Sequence, residues 1–299
     1  MAIKLSRRVT GAIACAAFLA AFVAQGPVCT ARADDVFAAA YKDYVRGNLE
    51  SAEAGFKQIV EDSDNPNRER AILKLAEIYE QRHAIVKARD TYKMMIEEYP
   101  GSKLLVPVQK KVYGLNLDIL FNPAIVEDSK LYEVKSRDTL GKIARENNTT
   151  INMIKKCNGL MFNVIVPGQR LKVCTAVFRI MVDKSQNKLF LIKNDEVVKA
   201  YDVSTGLNNS TPVGRFTIQE KLEKPVWFKI GAAVAPDDPE YELGTRWMGL
   251  SVEGYGIHGT KNPRTIGQQV TKGCVRMLNG EVEELFDIVP SGTEVIIVD

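Results

Sequence analysis

The chain is short of bases. Its 299 residues include only two histidines, His83 and His258, and only two tryptophans. An enzyme that moves protons with imidazole therefore has two candidates. Charge of either sign is not in excess: 40 Lys and Arg stand against 37 Asp and Glu, a formal +3. No basic block interrupts that balance, so the electrostatic footprint of a nucleic-acid binder is missing. Beyond the N-terminus there is no second apolar run of membrane-spanning length. The histidines and cysteines lack ligand spacing, so neither a metal nor another cofactor is expected.

Cysteine is also scarce, with five in all. Two of them, Cys15 and Cys29, lie in what reads as an export signal over residues 1–33. Lys4, Arg7 and Arg8 make a positive start, residues 9–24 are apolar, and Ala31-Arg32-Ala33 is a small-x-small cleavage site. Cleavage there gives an exported chain of the periplasm or cell wall, with a charge of about −1 once Lys4, Arg7, Arg8 and Arg32 are gone. Cys157, Cys174 and Cys274 remain. Cys157 and Cys174 either pair in the oxidising compartment, leaving Cys274 free, or stay as buried apolar thiols. Spacing does not decide between the two.

The rest divides into three modules. Over residues 35–110 the apolar residues recur at helical spacing. Phe37, Tyr41 and Tyr44 precede a turn at Gly47-Asn48, and Ala52, Phe56 and Val60 follow it. A similar unit runs through Ile72, Leu75, Tyr79, Ala88 and Tyr92. Ala52/Phe56 against Ala88/Tyr92 gives a period of 36, a spacing that resembles tetratricopeptide repeats. Such hairpins stack, and they offer a surface to a protein partner. Residues 111–130 read as a linker. Residues 131–174 read as strand, two short helices and strand, with Thr139 and Thr150 at the helix starts. Residues 177–299 alternate like short strands, with one helical stretch over 279–288.

Chemistry concentrates near the C-terminus. Gly256-Ile257-His258-Gly259-Thr260 is followed by Thr271-Lys272-Gly273-Cys274-Val275-Arg276-Met277. One histidine and one cysteine thus sit in glycine-bounded segments, the elements of a cysteine nucleophile and its base. Earlier come Val203-Ser204-Thr205-Gly206, Thr211-Pro212-Val213-Gly214-Arg215-Phe216-Thr217-Ile218 and Leu243-Gly244-Thr245-Arg246-Trp247-Met248.

This ordered set resembles the L,D-transpeptidase catalytic domain of the YkuD family, over residues 177–299. The residue two before the cysteine is commonly His in that family and is Lys272 here. The resemblance implies a mainly-β domain in which Cys274 attacks a peptidoglycan stem peptide. His258 is then the base, oriented by the Gly259 carbonyl, and the two either pass a proton or form an imidazolium–thiolate pair. The N–H groups of Gly273 and Cys274 are the candidates for the oxyanion hole. Arg276, Thr271, Trp247 and Tyr255 are candidate substrate contacts. Residues 131–174 are similar to a LysM module, carried by Asp138-Thr139-Leu140, Ile143-Ala144, Asn158-Gly159-Leu160 and Pro167-Gly168-Gln169. That implies binding to wall glycans, with Asp138, Thr139, Ile165 and Pro167 as candidate contacts. The expected chain is therefore a multidomain α+β protein: helical hairpins, a small βααβ module and a mainly-β catalytic domain. Its expected activity is formation of 3→3 cross-links through a thioester. The same site also suits an L,D-carboxypeptidase or an enzyme attaching proteins to peptidoglycan, and an inactive third domain leaves a wall-binding protein.

Overall fold

A computed structural model describes residues 26–126, 128–229, 232–235, 238 and 241–299. Residues 1–25, most of the expected signal, lie outside the described residues, and Ala31–Ala33 fall within the first helix. The chain forms two compact units, up to residue 71 and from residue 72 on.

Five helices come first: α1 (Gly26–Val45), α2 (Leu49–Glu61), α3 (Arg68–Gln81), α4 (Ile85–Glu98) and α5 (Leu105–Phe121). In the first hairpin Phe37 and Phe56 pack at 5.6 Å between ring centres. The turn after α1 contains Gly47 at φ +81°, and the turn after α3 contains His83 at φ +55°. The two left-handed residues are 36 positions apart, the period seen in the sequence. His83 thus serves a turn.

The expected linker over 111–130 is corrected by α5. Val108, Val112, Leu115, Leu117 and Leu120 are buried along it. Pro107 is tolerated because it falls in the first turn, where N–H groups have no intrahelical acceptor. Asn116 donates its side-chain N–H to the Val198 carbonyl at 2.9 Å, tying the helix to the following sheet.

The βααβ module contains β1 (Ser129–Glu133), α6 (Leu140–Glu146), α7 (Ile151–Asn158) and β2 (Arg170–Cys174), with the strands antiparallel. Thr139 and Thr150 cap the two helices through their hydroxyls. A small core of Leu140, Ile143, Ile154, Leu171 and Val173 closes it. Its other side belongs to a larger core. Met153, Cys157 and Cys174 cluster with Leu117 and Leu120 of α5 and with the sheet residues that follow. Burying a leucine contributes ~1.5–3 kcal/mol, so α5 and this module are packed onto the third module, not strung beside it. Cys157 and Cys174 are both buried free thiols. Burial raises both above their ordinary value, Cys157 to about 11.

The third module contains β3 (Phe178–Asp183), β4 (Lys188–Lys193), β5 (Glu196–Asp202), β6 (Thr205–Gly206), β7 (Gly214–Glu223), β8 (Trp227–Lys229) and β9 (Ala232–Val234). It continues with β10 (Arg246–Leu250), β11 (Gly256–His258), β12 (Gln269–Thr271), β13 (Val275–Arg276), α8 (Asn279–Ile288) and β14 (Glu294–Val298). Eight strands form one sheet in the order β13-β11-β10-β7-β14-β3-β4-β5. Helix α8 buries Val282, Leu285, Phe286 and Ile288. From α7, Thr150 donates to the Asp287 carbonyl, Asn152 to its carboxylate at 2.6 Å, and Lys156 pairs with it at 2.8 Å. The fold is thus the expected α+β arrangement.

Candidate active site

Register builds the site. Trp247 on β10 lies opposite His258 on β11, and His258 lies opposite Arg276 on β13. Residues in one row across adjacent strands point to the same face. Trp247, His258 and Arg276 therefore stand side by side, with the Trp247 and His258 rings stacked at 6.0 Å. The loop between β12 and β13 brings Cys274 to the same place. A cavity of about 510 Å³ is lined by Cys274, His258, Arg276, Trp247, Thr271 and Lys272. Glu220, Leu222, Glu242 and Leu243 complete much of its wall. The two glutamates were not legible in the sequence, since an isolated acidic residue beside a strand carries no signal.

His258 is 3% exposed. Its Nδ1 lies 2.7 Å from the Gly259 carbonyl oxygen. A carbonyl only accepts, so Nδ1 carries the proton and Nε2 keeps its lone pair. Burial holds the imidazole down at about 4, the Gly259 hydrogen bond opposing and the Arg276 charge adding to it. Burial likewise pushes the Cys274 thiol up, against a backbone hydrogen bond from Gly256 and the Arg276 charge. Both shifts favour a resting pair of neutral thiol and neutral imidazole over an ion pair. The thiol points toward the Gly254 carbonyl at 3.7 Å.

The loop that carries Cys274 is shaped by Thr271 and Gly273. The Thr271 hydroxyl donates to the Cys274 carbonyl at 2.6 Å and accepts the Gly273 N–H at 3.2 Å. The Gly273 N–H, expected as an oxyanion donor, is therefore engaged, whereas the Cys274 N–H has no acceptor among the described residues. Gly273 has φ +127°, and a β-carbon there would come 2.5 Å from the Tyr255 ring. Tyr255 packs beneath the loop and against the core; it does not line the cavity as expected.

Arg276 is loosely held. Its guanidinium reaches Thr265 and Glu242 at 3.4 Å each, and its buried Nε has no partner. Among the described residues no cluster of His, Cys, Asp or Glu is placed to hold a metal ion, and no helix is long and apolar enough to cross a membrane.

The candidate glycan contacts have other partners. The Asp138 carboxylate accepts from Lys142, from the Lys135 N–H and from the Tyr132 hydroxyl at 2.8–2.9 Å, and its side chain is 0% exposed. The Lys142 bond, then the other two, holds its carboxyl down at about 2. Thr139 caps α6, and Ile165 packs against the small core. Of the four, Thr139 and Pro167 are exposed, Pro167 together with its neighbours Met161, Phe162, Val164 and Val166.

Comparison with known proteins agrees with this division. The L,D-transpeptidase catalytic domain model (YkuD) matches residues 178–297, and the LysM domain model matches residues 132–173. A Bacillus licheniformis protein provisionally named L,D-transpeptidase YkuD is 36% identical over 176 residues, covering 56% of this chain and 98% of its own. The Bacillus subtilis protein of that name is 34% identical over 173 residues, covering 56% and 97%. The NMR structure of an E. faecium L,D-transpeptidase catalytic domain is 26% identical, with a TM-score of 0.34, covering 40% of this chain and 96% of that one. An L,D-transpeptidase structure from Mycobacterium smegmatis is 22% identical, with a TM-score of 0.36, covering 45% of this chain and 65% of that one. With both domain models in sequence and two Bacillus relatives spanned almost end to end, the chain belongs to the YkuD family of L,D-transpeptidases and carries a LysM domain ahead of the catalytic one.

Proposed function

We propose that the protein is an exported peptidoglycan L,D-transpeptidase that forms 3→3 cross-links through a thioester on Cys274. The observation that carries this reading is the His258 tautomer: Nδ1–H is tied to Gly259, and Nε2 is left for a thiol lining the same cavity. The donor is a stem tetrapeptide, cut between its third and fourth residues. The Cys274 sulfur attacks the carbonyl of the third residue while His258 takes the thiol proton. The Cys274 N–H faces the developing oxyanion. His258 passes the proton to the amine of the departing D-alanine, and the thioester remains. The amine of a second stem then attacks it, the new amide forms, and the thiol is restored. The loosely held Arg276 binds a substrate carboxylate.

The LysM domain supports attachment to wall glycans. Export rests on the signal over residues 1–33. The helical hairpins, with their tetratricopeptide-like spacing, are the surface for a protein partner. Incubation of the purified protein with muropeptides, followed by mass spectrometry of the products, tests the reaction. Dimers joined 3→3 with loss of D-alanine are expected. Tripeptides alone mean that water is the acceptor and the enzyme an L,D-carboxypeptidase. Unchanged muropeptides with retained wall binding leave only the binding role.

A further inference from the structure

The orientation of His258 depends on one carbonyl, and the glycine that bears it is held from two sides. Gly259 donates its N–H to the Arg246 carbonyl at 3.2 Å, which ties it to β10. Its other side meets Asn279, the first residue of α8. A β-carbon on Gly259 would collide with the Asn279 side-chain oxygen, and so would one on Gly244. That oxygen also accepts the Thr245 N–H at 3.1 Å. Gly244, at φ +64°, lies so close to the Gly259 peptide that a β-carbon there would be 2.5 Å from the Gly259 carbonyl carbon. One amide oxygen thus fills the corner where the 244–245 turn and the Gly259 peptide meet. The helix behind it is anchored in the core by Val282 and Leu285, both fully buried.

We propose that Asn279 is a positioning residue for the base: it fixes the Gly259 peptide and, through the Gly259 carbonyl, the ring orientation and tautomer of His258. Asn279 acts through Gly259; Val282, also on α8, packs against the same glycine, its methyl 3.1 Å from where a β-carbon would sit, but it offers no polar atom there. The inference rests on reading His258 as the base of Cys274. Without a fixed acceptor at Nδ1 the imidazole is free to turn or to exchange tautomers, and either change takes the Nε2 lone pair from the thiol. The charged or titratable groups around His258 are Arg276 on β13 and Cys274 on the preceding loop. Lys272, Glu242 and Glu220 line the shared cavity, Glu220 accepting the Trp247 indole N–H. Arg276 is the charge that acts on the imidazole.

The test uses the full chain and a small thiol reagent, iodoacetamide, so that it does not depend on peptidoglycan. The rate of Cys274 alkylation is followed by intact mass as a function of pH, beside the thermal midpoint. Asn279→Ala, His258→Gln and the double variant form a cycle. Asn279→Ala is expected to slow alkylation about tenfold, a part of the ~10²–10⁴-fold that general-base help is typically worth. Added to His258→Gln it should cost almost nothing, since both remove the same function. Asn279→Asp keeps an acceptor oxygen in place and adds a negative charge, which favours imidazolium. Its acid limb should therefore move to higher pH with the plateau rate retained. A purely structural residue would lower the midpoint without moving that limb. Strictly additive losses, or a wild-type acid limb in Asn279→Asp, would overturn the proposal. If Asn279→Ala does not fold, the Asn279→Asp limb decides alone. If His258→Gln leaves the wild-type rate unchanged, the base reading itself fails and this inference with it.

Discussion

Asp138 and Arg276 are both charged residues inside a sequence motif, and their surroundings differ sharply. Asp138, in the LysM domain, receives three hydrogen bonds and is closed off from solvent. Arg276, in the catalytic domain, has two contacts at 3.4 Å and a buried Nε with no partner. The neighbours repeat the pattern. Thr139 caps a helix, and Ile165 packs against a core. His258 keeps one ring nitrogen for a cavity, and Cys274 keeps an N–H without an acceptor among the described residues. Buried polar groups are normally satisfied, so unsatisfied ones in a cavity point to a ligand. In the LysM domain most of the motif residues build the module. In the catalytic domain they are held by the module and left available.

This contrast is easiest to break at the reactive pair. Cys274→Ala should abolish acyl transfer from stem peptides while leaving the thermal midpoint almost unchanged. His258→Gln should slow acylation of Cys274 by a carbapenem by ~10²–10⁴-fold, the usual worth of a general base. An equally large drop in midpoint for either variant would mean that these residues also build the module. Replacing His83, which serves a turn, should leave the rate as it was.

The loop offers the next largest effect. Gly273→Ala places a β-carbon 2.5 Å from the Tyr255 ring at a φ of +127°. Forcing a non-glycine residue into such a conformation costs about 1–3 kcal/mol. Acylation should fall roughly ten- to hundredfold, the same free energy expressed as a rate. Adding Tyr255→Ala should recover part of the loss, leaving the part due to φ; no recovery means that the ring is not the obstacle.

Proton linkage sharpens the comparison further. The imidazole of His258 is lowered by burial from 6.5 to about 4 in the folded chain. The unfolded chain therefore binds more protons between those values, and stability rises with pH across that window. It is fully present above about 6.5 and declines as pH falls toward about 4, by roughly 3 kcal/mol in total. Denaturation of wild type and His258→Gln at a series of pH values should show this slope only in the former. Parallel slopes would contradict the buried neutral histidine.

The smallest effects belong to the LysM domain. Thr139→Ala removes a cap and should cost about 1 kcal/mol of stability without changing sedimentation with insoluble peptidoglycan. Phe162→Ala removes an exposed ring, 73% accessible, and should do the opposite: wall binding falls while the midpoint holds. If Thr139→Ala abolishes wall binding in a folded chain, the assignment of that residue to the fold is wrong.

Legibility in the sequence followed the same physical lines. The strands at 178–202 and 294–298 alternate apolar and polar residues because one face meets the core, and α8 carries its stripe at helical spacing. Thr139 and Thr150 could be read as caps because capping is local. Helix α5 was hidden by Pro100-Gly101 and Pro107, which resemble an end of structure until the first-turn position of Pro107 is known. Strand β7 buries only one of its ten residues, and β13 is two residues long, so neither has a period to read. Cys274 and His258, expected as a pair mainly from the resemblance and from the scarcity of histidine, line one cavity. The engaged N–H of Gly273, the withdrawal of Tyr255 beneath the loop and the place of Asn279 depend on contacts across distant strands. A linear pattern does not encode them.

On the proposed function, Cys274 is the residue kept available for acyl transfer, with His258 as its neutral base. Intact-mass spectrometry of the full chain after brief incubation with a stem tetrapeptide tests it most directly. One adduct per chain is expected, equal in mass to the tetrapeptide less D-alanine, mapping to Cys274 and lost in Cys274→Ala. It should form far more slowly in His258→Gln. An adduct on Cys157 or Cys174, or equal acylation of His258→Gln and wild type, would contradict it.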